Sequence, residues 1–257
     1  MTRGFTAIAD GRHGAVVYLR HDHYTGQSFE RFGEYSPGEI DLLAQIVRPG
    51  DTVVEVGAHI GAHTLPLARL VGPTGAVHAF EPQRIPFQTL CATMALNSIG
   101  NVRASWAAVG DRAGTIDVPH LRYDEGGSFG GLALGPDADW KQLKGHVPTE
   151  KVQLVRLDGA LLGLEHCRLI KADVEGMEID VLRGAERLID ATRPALYLEC
   201  NDDAREKALG AWLAAHNYRR WWHVPPLGID DKMSIMILAL PMEWDVEINA
   251  QPLNELN

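Results

Sequence analysis

Residues 53 to 61 read Val53-Val54-Glu55-Val56-Gly57-Ala58-His59-Ile60-Gly61, an apolar run that turns through two glycines and carries an acid, Glu55, just before the first of them. A short apolar run bounded by turn residues reads as a strand buried on both faces. Gly57, His59 and Gly61 alternate through the turn, so its backbone, Ala58 included, can approach a ligand. The helix that follows Gly61 aims its unpaired amides at the same place. A dinucleotide-binding strand is apolar up to its glycine, and the Gly-x-Gly-x-x-Gly fingerprint is absent here. A carboxylate at Glu55 instead matches a ligand with a positively charged amino group.

From this point the chain alternates β-rich runs with helical patterns, which predicts an α/β fold with a parallel sheet covered by helices. Strands are expected over 51–56, 76–80, 102–109, 115–118, 152–157, 168–174 and 195–199, with a closing antiparallel pair, 219–223 and 233–240, around the turn Pro225-Pro226-Leu227-Gly228. Helices are expected over 61–70, 86–96 and 204–216, and a further one through Glu178, Ile179, Val181, Leu182, Ala185, Leu188 and Ile189. Residues 1–48 read as a partly helical annex over the cleft, in which Ser36-Pro37-Gly38-Glu39 opens a helix with a Ser cap and Pro at its first position. The segment 120–148 holds Gly126-Gly127-Ser128-Phe129-Gly130-Gly131 and little apolar periodicity, which marks an insertion or lid. With 257 residues, a second core would be cramped, so 1–257 is expected to be one domain.

The chain has 24 basic and 34 acidic residues, a net charge of −10, which argues against a surface that tracks phosphates. No nucleic-acid partner is expected, and the basic, aromatic run Tyr218-Arg219-Arg220-Trp221-Trp222-His223 reads as strand and pocket rim. No stretch is apolar enough to span a membrane and no leader pattern opens the chain, so no membrane partner and a cytoplasmic location are expected. Cys91, Cys167 and Cys200 form no Cys-x-x-Cys pair and are expected to be reduced and buried. A homodimer is left open.

In open α/β sheets the ligand lies at the carboxyl ends of the strands. The second expected strand ends in Phe80-Glu81-Pro82, and an acid at Glu81 can accept hydrogen bonds from both ribose hydroxyls of a nucleoside. Ala108 and Val109, at the third strand's end, would supply backbone and apolar contacts to adenine. Glu55 and the Gly57-x-x-x-Gly61 spacing favour S-adenosyl-L-methionine over a nicotinamide nucleotide.

At the fourth strand stands Leu169-Ile170-Lys171-Ala172-Asp173-Val174-Glu175-Gly176-Met177-Glu178, followed by Val181-Leu182-Arg183-Gly184-Ala185. Together with residues 56–64 and Ala79-Phe80-Glu81-Pro82-Gln83, this sequence resembles the FkbM-type family of adenosylmethionine-dependent methyltransferases, over roughly residues 12 to 241. The resemblance implies a class I methyltransferase Rossmann-like sandwich, a seven-stranded mostly parallel sheet whose last strand is antiparallel. It also implies O-methylation of a hydroxyl on a small metabolite, natural product or sugar. The chain departs from the family pattern at His59 and Met236, where Asn is usual, and in a shorter stretch after Pro226 that would border the acceptor.

Methyl transfer from a sulfonium is an in-line displacement, so catalysis rests on positioning and on a base or metal beside the acceptor hydroxyl. Asp173 points at that place in this fold, with Glu175 two residues on. Both also fit a plain helix-entry cluster of acids. His223 reads either as a hydrogen-bonded strand histidine or, with the likeness to the family in its favour, as a further candidate base. Glu199, Trp222 and His223 are expected on the acceptor side. If a metal is used, Asp173, Glu199 and Asn201 could hold Mg²⁺, the weaker of the two cofactor expectations. N- or carboxyl-methylation, and a non-catalytic adenosylmethionine-binding module, are the competing readings.

Overall fold

The computed structural model describes residues 4–135, 138–141, 147–227, 229 and 233–248, and the backbone of 253–255. Gly228 of the expected turn, the first three residues of the annex, and 136–137 and 142–146 of the 120–148 segment lie outside them. The chain opens with a hairpin, β1 (Thr6–Gly11) and β2 (Gly14–Leu19), then α1 (Thr25–Phe32) and α2 (Pro37–Leu43). Next come β3 (Thr52–Val56), α3 (Thr64–Val71), β4 (Ala76–Phe80), α4 (Arg84–Leu96), β5 (Val102–Ser105), β6 (Ala107–Val109) and β7 (Gly114–Pro119). The second half contains β8 (Thr149–Val155), α5 (Leu157–Ala160), β9 (Leu169–Ala172), α6 (Glu178–Arg183), α7 (Glu186–Thr192), β10 (Ala195–Glu199), α8 (Asp203–Ala215), β11 (Tyr218–His223), β12 (Met236–Pro241) and β13 (Leu253–Glu255).

The main sheet runs β13-β11-β12-β10-β9-β3-β4-β5. Strands β5, β4, β3, β9 and β10 are parallel, and β12 enters antiparallel between β10 and β11. Seven of these strands are the predicted mostly parallel sheet of the class I methyltransferase fold; β13 adds an eighth at the edge. Apolar side chains go to both faces. Val54, Ile170 and Leu198 meet Leu182, Ile189 and Leu213 on one side, while Val53, Leu169 and Tyr197 meet Leu43, Leu67 and Val71 on the other. Burial on two faces is why β3 and β9 are apolar apart from Thr52, Glu55 and Lys171.

Several local expectations are corrected. The annex opens with a hairpin, which docks on α4 through Thr93 and Asn97: Val17 N–H donates to Thr93 Oγ1 at 3.1 Å and Ala15 N–H to Asn97 Oδ1 at 3.1 Å. Ser36 does not cap its helix; its hydroxyl donates to Glu39 Oε1 at 2.8 Å. The strand over 102–109 breaks at Trp106, because β5 pairs with β4 whereas β6 pairs with β8 in a separate sheet of order β6-β8-β7. The strand over 168–174 stops at Ala172, and the one over 233–240 begins at Met236. Cys91 is exposed; Cys167 and Cys200 are buried. No helix among the described residues is long and apolar enough to cross a membrane.

The expected helix through Glu178 and Ile189 divides into α6 and α7. Asp158 of α5 explains the break: its carboxylate accepts the N–H groups of Arg187 at 3.4 Å and Leu188 at 3.0 Å, giving α7 its own start. Gly184, between the helices, lies so close to β6 that an added Cβ would stand 2.1 Å from Gly110 O. We expect Gly184→Ala to lower the unfolding free energy by roughly 1–3 kcal/mol in denaturant titrations, the usual range for overpacking. Gly159→Ala, where an added Cβ meets nothing within 4 Å, should stay neutral or raise it by less than about 1 kcal/mol.

Candidate active site

The order of the strands reverses between β3 and β9: the chain winds outward through β4 and β5, then crosses back to β9. Ligands bind above such a point, at the carboxyl ends of the strands. The turn after β3 is fixed there by protein contacts. Gly57 N–H and Ala58 N–H both donate to Phe80 O, at 3.0 and 3.1 Å, and Asp173 N–H donates to Val56 O at 3.0 Å. Gly57 has φ +83°, and a Cβ on it would stand 1.9 Å from Asp173 O. That glycine serves close approach of β9, where the sequence had suggested approach to a ligand. His59 also has positive φ, +48°.

Two adjoining hollows open above this turn, and Gly57, His59, Gly130, Asp173 and Glu175 line both. The narrower, about 50 Å³, is a slot lined by Phe80, Glu81, Pro82, Ala108, Val109, Leu132, Leu134 and Met177. Glu81 accepts the N–H groups of His59 at 2.8 Å and Gln83 at 2.7 Å. Burial pushes its pKa up to about 7 against those two bonds. The roof is the first part of the 120–148 segment. Phe129 N–H donates to Asp22 Oδ2 at 3.1 Å, and Phe129 O accepts from Gln83 Nε2 at 2.7 Å, so one buried aspartate of the annex and one buried glutamine hold the loop down.

The wider hollow, about 260 Å³, receives Tyr24 and Tyr35 from the annex and Glu55, Lys171, Asp173, Glu175, Glu199 and Asn201 from the strand ends. Lys171 is 1% exposed, and its Nζ donates to Asp173 Oδ2 at 3.1 Å. Burial opposes its charge, but Asp173, Glu39 and Glu55 outweigh that and raise its pKa above the ordinary lysine value. Glu55 accepts the Thr64 hydroxyl at 2.6 Å. Burial pushes Glu55 and Glu39 to about 7, with Lys171 pulling each back. Glu175 and Glu199 are raised by burial and then by Asp173. Glu175 sits at φ +53°, and Glu178 orders the turn beneath it by accepting Val174 N–H at 3.1 Å and Gly176 N–H at 3.2 Å. The site is therefore acid-rich around one buried cation.

The structure thus brings together Glu55, Gly57, Ala58, His59, Asp173, Glu175, Glu199 and Asn201 at one hollow, and Glu81, Pro82, Ala108 and Val109 at the other. Gly61 stands apart from both, packed against Leu90 of α4, where a Cβ would be 2.7 Å from Leu90 Cδ1. His223 is not brought to the acids: it is 2% exposed, its Nδ1 lies 2.6 Å from the Tyr197 hydroxyl, and burial lowers its pKa to about 4. Trp222 packs against the core beside α8. Asn201 turns its amide to Glu199, with Nδ2 2.7 Å from Oε1. Sequence reasoning missed Lys171, Glu39, Asp22 and Tyr35. Lys171 left a signal, a lysine inside an otherwise apolar central strand, which is rare without a partner.

The order and direction of the strands are those of a class I methyltransferase fold. The Methyltransferase FkbM domain model matches residues 55–220, and the chain belongs to that family. It is 29% identical over 204 residues to the 31-O-demethyl-FK506 methyltransferase FkbM of Streptomyces tacrolimicus, covering 70% of this chain and 72% of that protein. It is 28% identical over 157 residues to the methyltransferase sdnD of Sordaria araneosa, covering 52% and 60% respectively. Among solved structures, the methyltransferase FkbM of Methylobacillus flagellatus aligns with TM-score 0.50 at 18% identity, over 77% of this chain and 50% of that one. The chain thus spans less than two thirds of sdnD and half of the solved relative.

The carboxyl groups held above their ordinary range set a pH dependence. Between pH 6.5 and 8 the unfolded chain has already lost protons that Glu39, Glu55, Glu81, Glu175 and Glu199 retain when folded, so stability falls as pH rises. The buried His63 and His223, lowered to about 3 and about 4, act in the opposite sense below pH 6.5. Thermal melts of the ligand-free protein should show a lower midpoint at pH 8 than at pH 6.5; a midpoint that rises over this window would contradict the burial of these carboxyls.

Proposed function

We propose that this chain methylates a hydroxyl of a small metabolite, natural product or sugar, taking the methyl from S-adenosylmethionine. The observation that carries the reading is Glu81, a buried carboxylate at the tip of β4, lining a largely apolar slot that shares Gly57, His59, Asp173 and Glu175 with an acid-lined hollow. A nucleoside with a cationic amino-acid tail needs these three features in this order. The donor set fits: Glu81 for ribose hydroxyls, Ala108, Val109, Leu134 and Met177 for the flat base, and Glu55 for positive charge. The printed name of the Streptomyces tacrolimicus relative, an O-demethyl-FK506 methyltransferase, supports a hydroxyl acceptor.

When bound, adenosylmethionine supplies an electrophilic methyl group on a sulfonium. The chain's own residues do the rest. The 129–134 loop and the annex form part of the walls of the two hollows. Asp173 stands where the two hollows join and accepts the proton of the acceptor hydroxyl, while Lys171 fixes its carboxylate from below. Positioning supplies most of the acceleration expected of such a displacement. The hollow takes a small acceptor, or one part of a larger one.

Calorimetry with adenosylmethionine tests the slot: Glu81→Gln should weaken binding by 10-fold or more, about 1.4 kcal/mol, and unchanged affinity would remove Glu81 from the site. For Asp173→Asn we expect cofactor binding within a few-fold of wild type and single-turnover methyl transfer slowed on the order of 100-fold or more. Wild-type transfer rates in that variant would exclude Asp173 as the base.

A further inference from the structure

Glu199 is 9% exposed, and its Oε2 is buried without a hydrogen-bond partner. Its other oxygen is occupied, since Oε1 accepts from Asn201 Nδ2 at 2.7 Å. The residue lines the wider hollow, and carboxylate oxygens of Asp173, Glu175 and Glu199 lie within 4.8 Å of one another. Three acids converge here, and neither neighbouring cation neutralises the cluster: Lys171 takes a single oxygen of Asp173, and Arg205 reaches Glu175 through its charge alone. Ionised together at this spacing the three would repel, and an unpartnered buried carboxyl oxygen is costly.

We propose that Asp173, Glu175 and Glu199 hold one hard divalent cation, of the Mg²⁺ or Mn²⁺ kind, which also ligates the acceptor oxygen. Metal–oxygen bonds of about 2.1 Å place octahedral ligand oxygens roughly 3.0 Å apart when adjacent and about 4.2 Å when opposite, so the three carboxyls close in from a spread of up to 4.8 Å as the ion binds. The donors are all oxygen, which selects Mg²⁺, Mn²⁺ or Ca²⁺ over thiolate- and imidazole-seeking metals. Glu178, which ties down the 173–176 turn, and Asn201, which fixes one oxygen of Glu199, are positioning residues for the ligands. Asn201 thus orients a ligand, where the sequence alone had suggested it as one. Water and the acceptor hydroxyl complete the shell, and a hydroxyl on the ion gives up its proton more readily.

The role toward the acceptor rests on the hydroxyl-methylation reading; binding of the ion does not, and it is measured without either substrate. The full chain, freed of metal with EDTA and dialysed, is titrated with Mn²⁺ while the spectrum of the free ion is followed by electron paramagnetic resonance. We expect one saturable site per chain, displaced by excess Mg²⁺, weakened at least 10-fold in Glu199→Gln and in Glu175→Gln, and unchanged in Glu186→Gln on the exposed side of α7. Circular dichroism identifies any variant that fails to fold, and the other ligand variant is then read in its place. Absence of saturable binding, or equal binding by both ligand variants and wild type, would overturn the proposal. Calorimetry with adenosylmethionine on the same proteins separates the two readings. Cofactor affinity lost in Glu199→Gln, with no Mn²⁺ site in the wild type, would assign the acids to the cofactor's own positive charge and also overturn it.

Discussion

One buried ammonium organises the carboxyl end of the sheet. Lys171 lies inside β9, almost wholly out of water, and meets Asp173 directly and Glu39 and Glu55 through their charge. These three acids come from β9's own tip, from α2 of the annex and from β3. A buried charge is tolerated only when paired, and removing one partner typically costs about 3–5 kcal/mol. The ion network therefore ties the annex and the sheet to one point, and that point is the floor of the wider hollow.

The roof follows from a second buried acid. Asp22 accepts Tyr24 N–H at 2.9 Å and Phe129 N–H at 3.1 Å, so the annex and the 120–148 segment share an anchor. His23 N–H donates to Gly127 O at 2.9 Å and Gly127 N–H to His21 O at 3.0 Å, which extends the seam. Floor and roof are thus both fixed by long-range contacts to the first 48 residues, and the parallel sheet supplies the strand tips between them.

The strand tips were legible in the sequence because their signals are local. An apolar run into a glycine turn located β3, Phe80-Glu81-Pro82 located the end of β4, and Asp173 marked the tip of β9. What stayed hidden depends on partners far along the chain. His223 read as a candidate base until β11 and β12 placed it against Tyr197. The break at Trp106 depends on β8 arriving as a pairing partner, and the break at Gly184 on Asp158. Lys171 was in plain view within the motif, yet its meaning needed Glu39, which lies on an element whose approach no local pattern encodes.

The most direct test of this account is the unfolding free energy of Lys171→Met, compared with wild type at pH 5 and at pH 8 by denaturant titration. Methionine fills similar space without charge. At pH 5 the neighbouring carboxyls can take up protons, and the account predicts a small loss. At pH 8 they must either stay buried as unpaired anions or hold protons against the solution, and the loss should exceed that at pH 5 by about 2 kcal/mol or more. An equal loss at both values, or none at either, would contradict the claim that this ammonium neutralises the acids of the cleft.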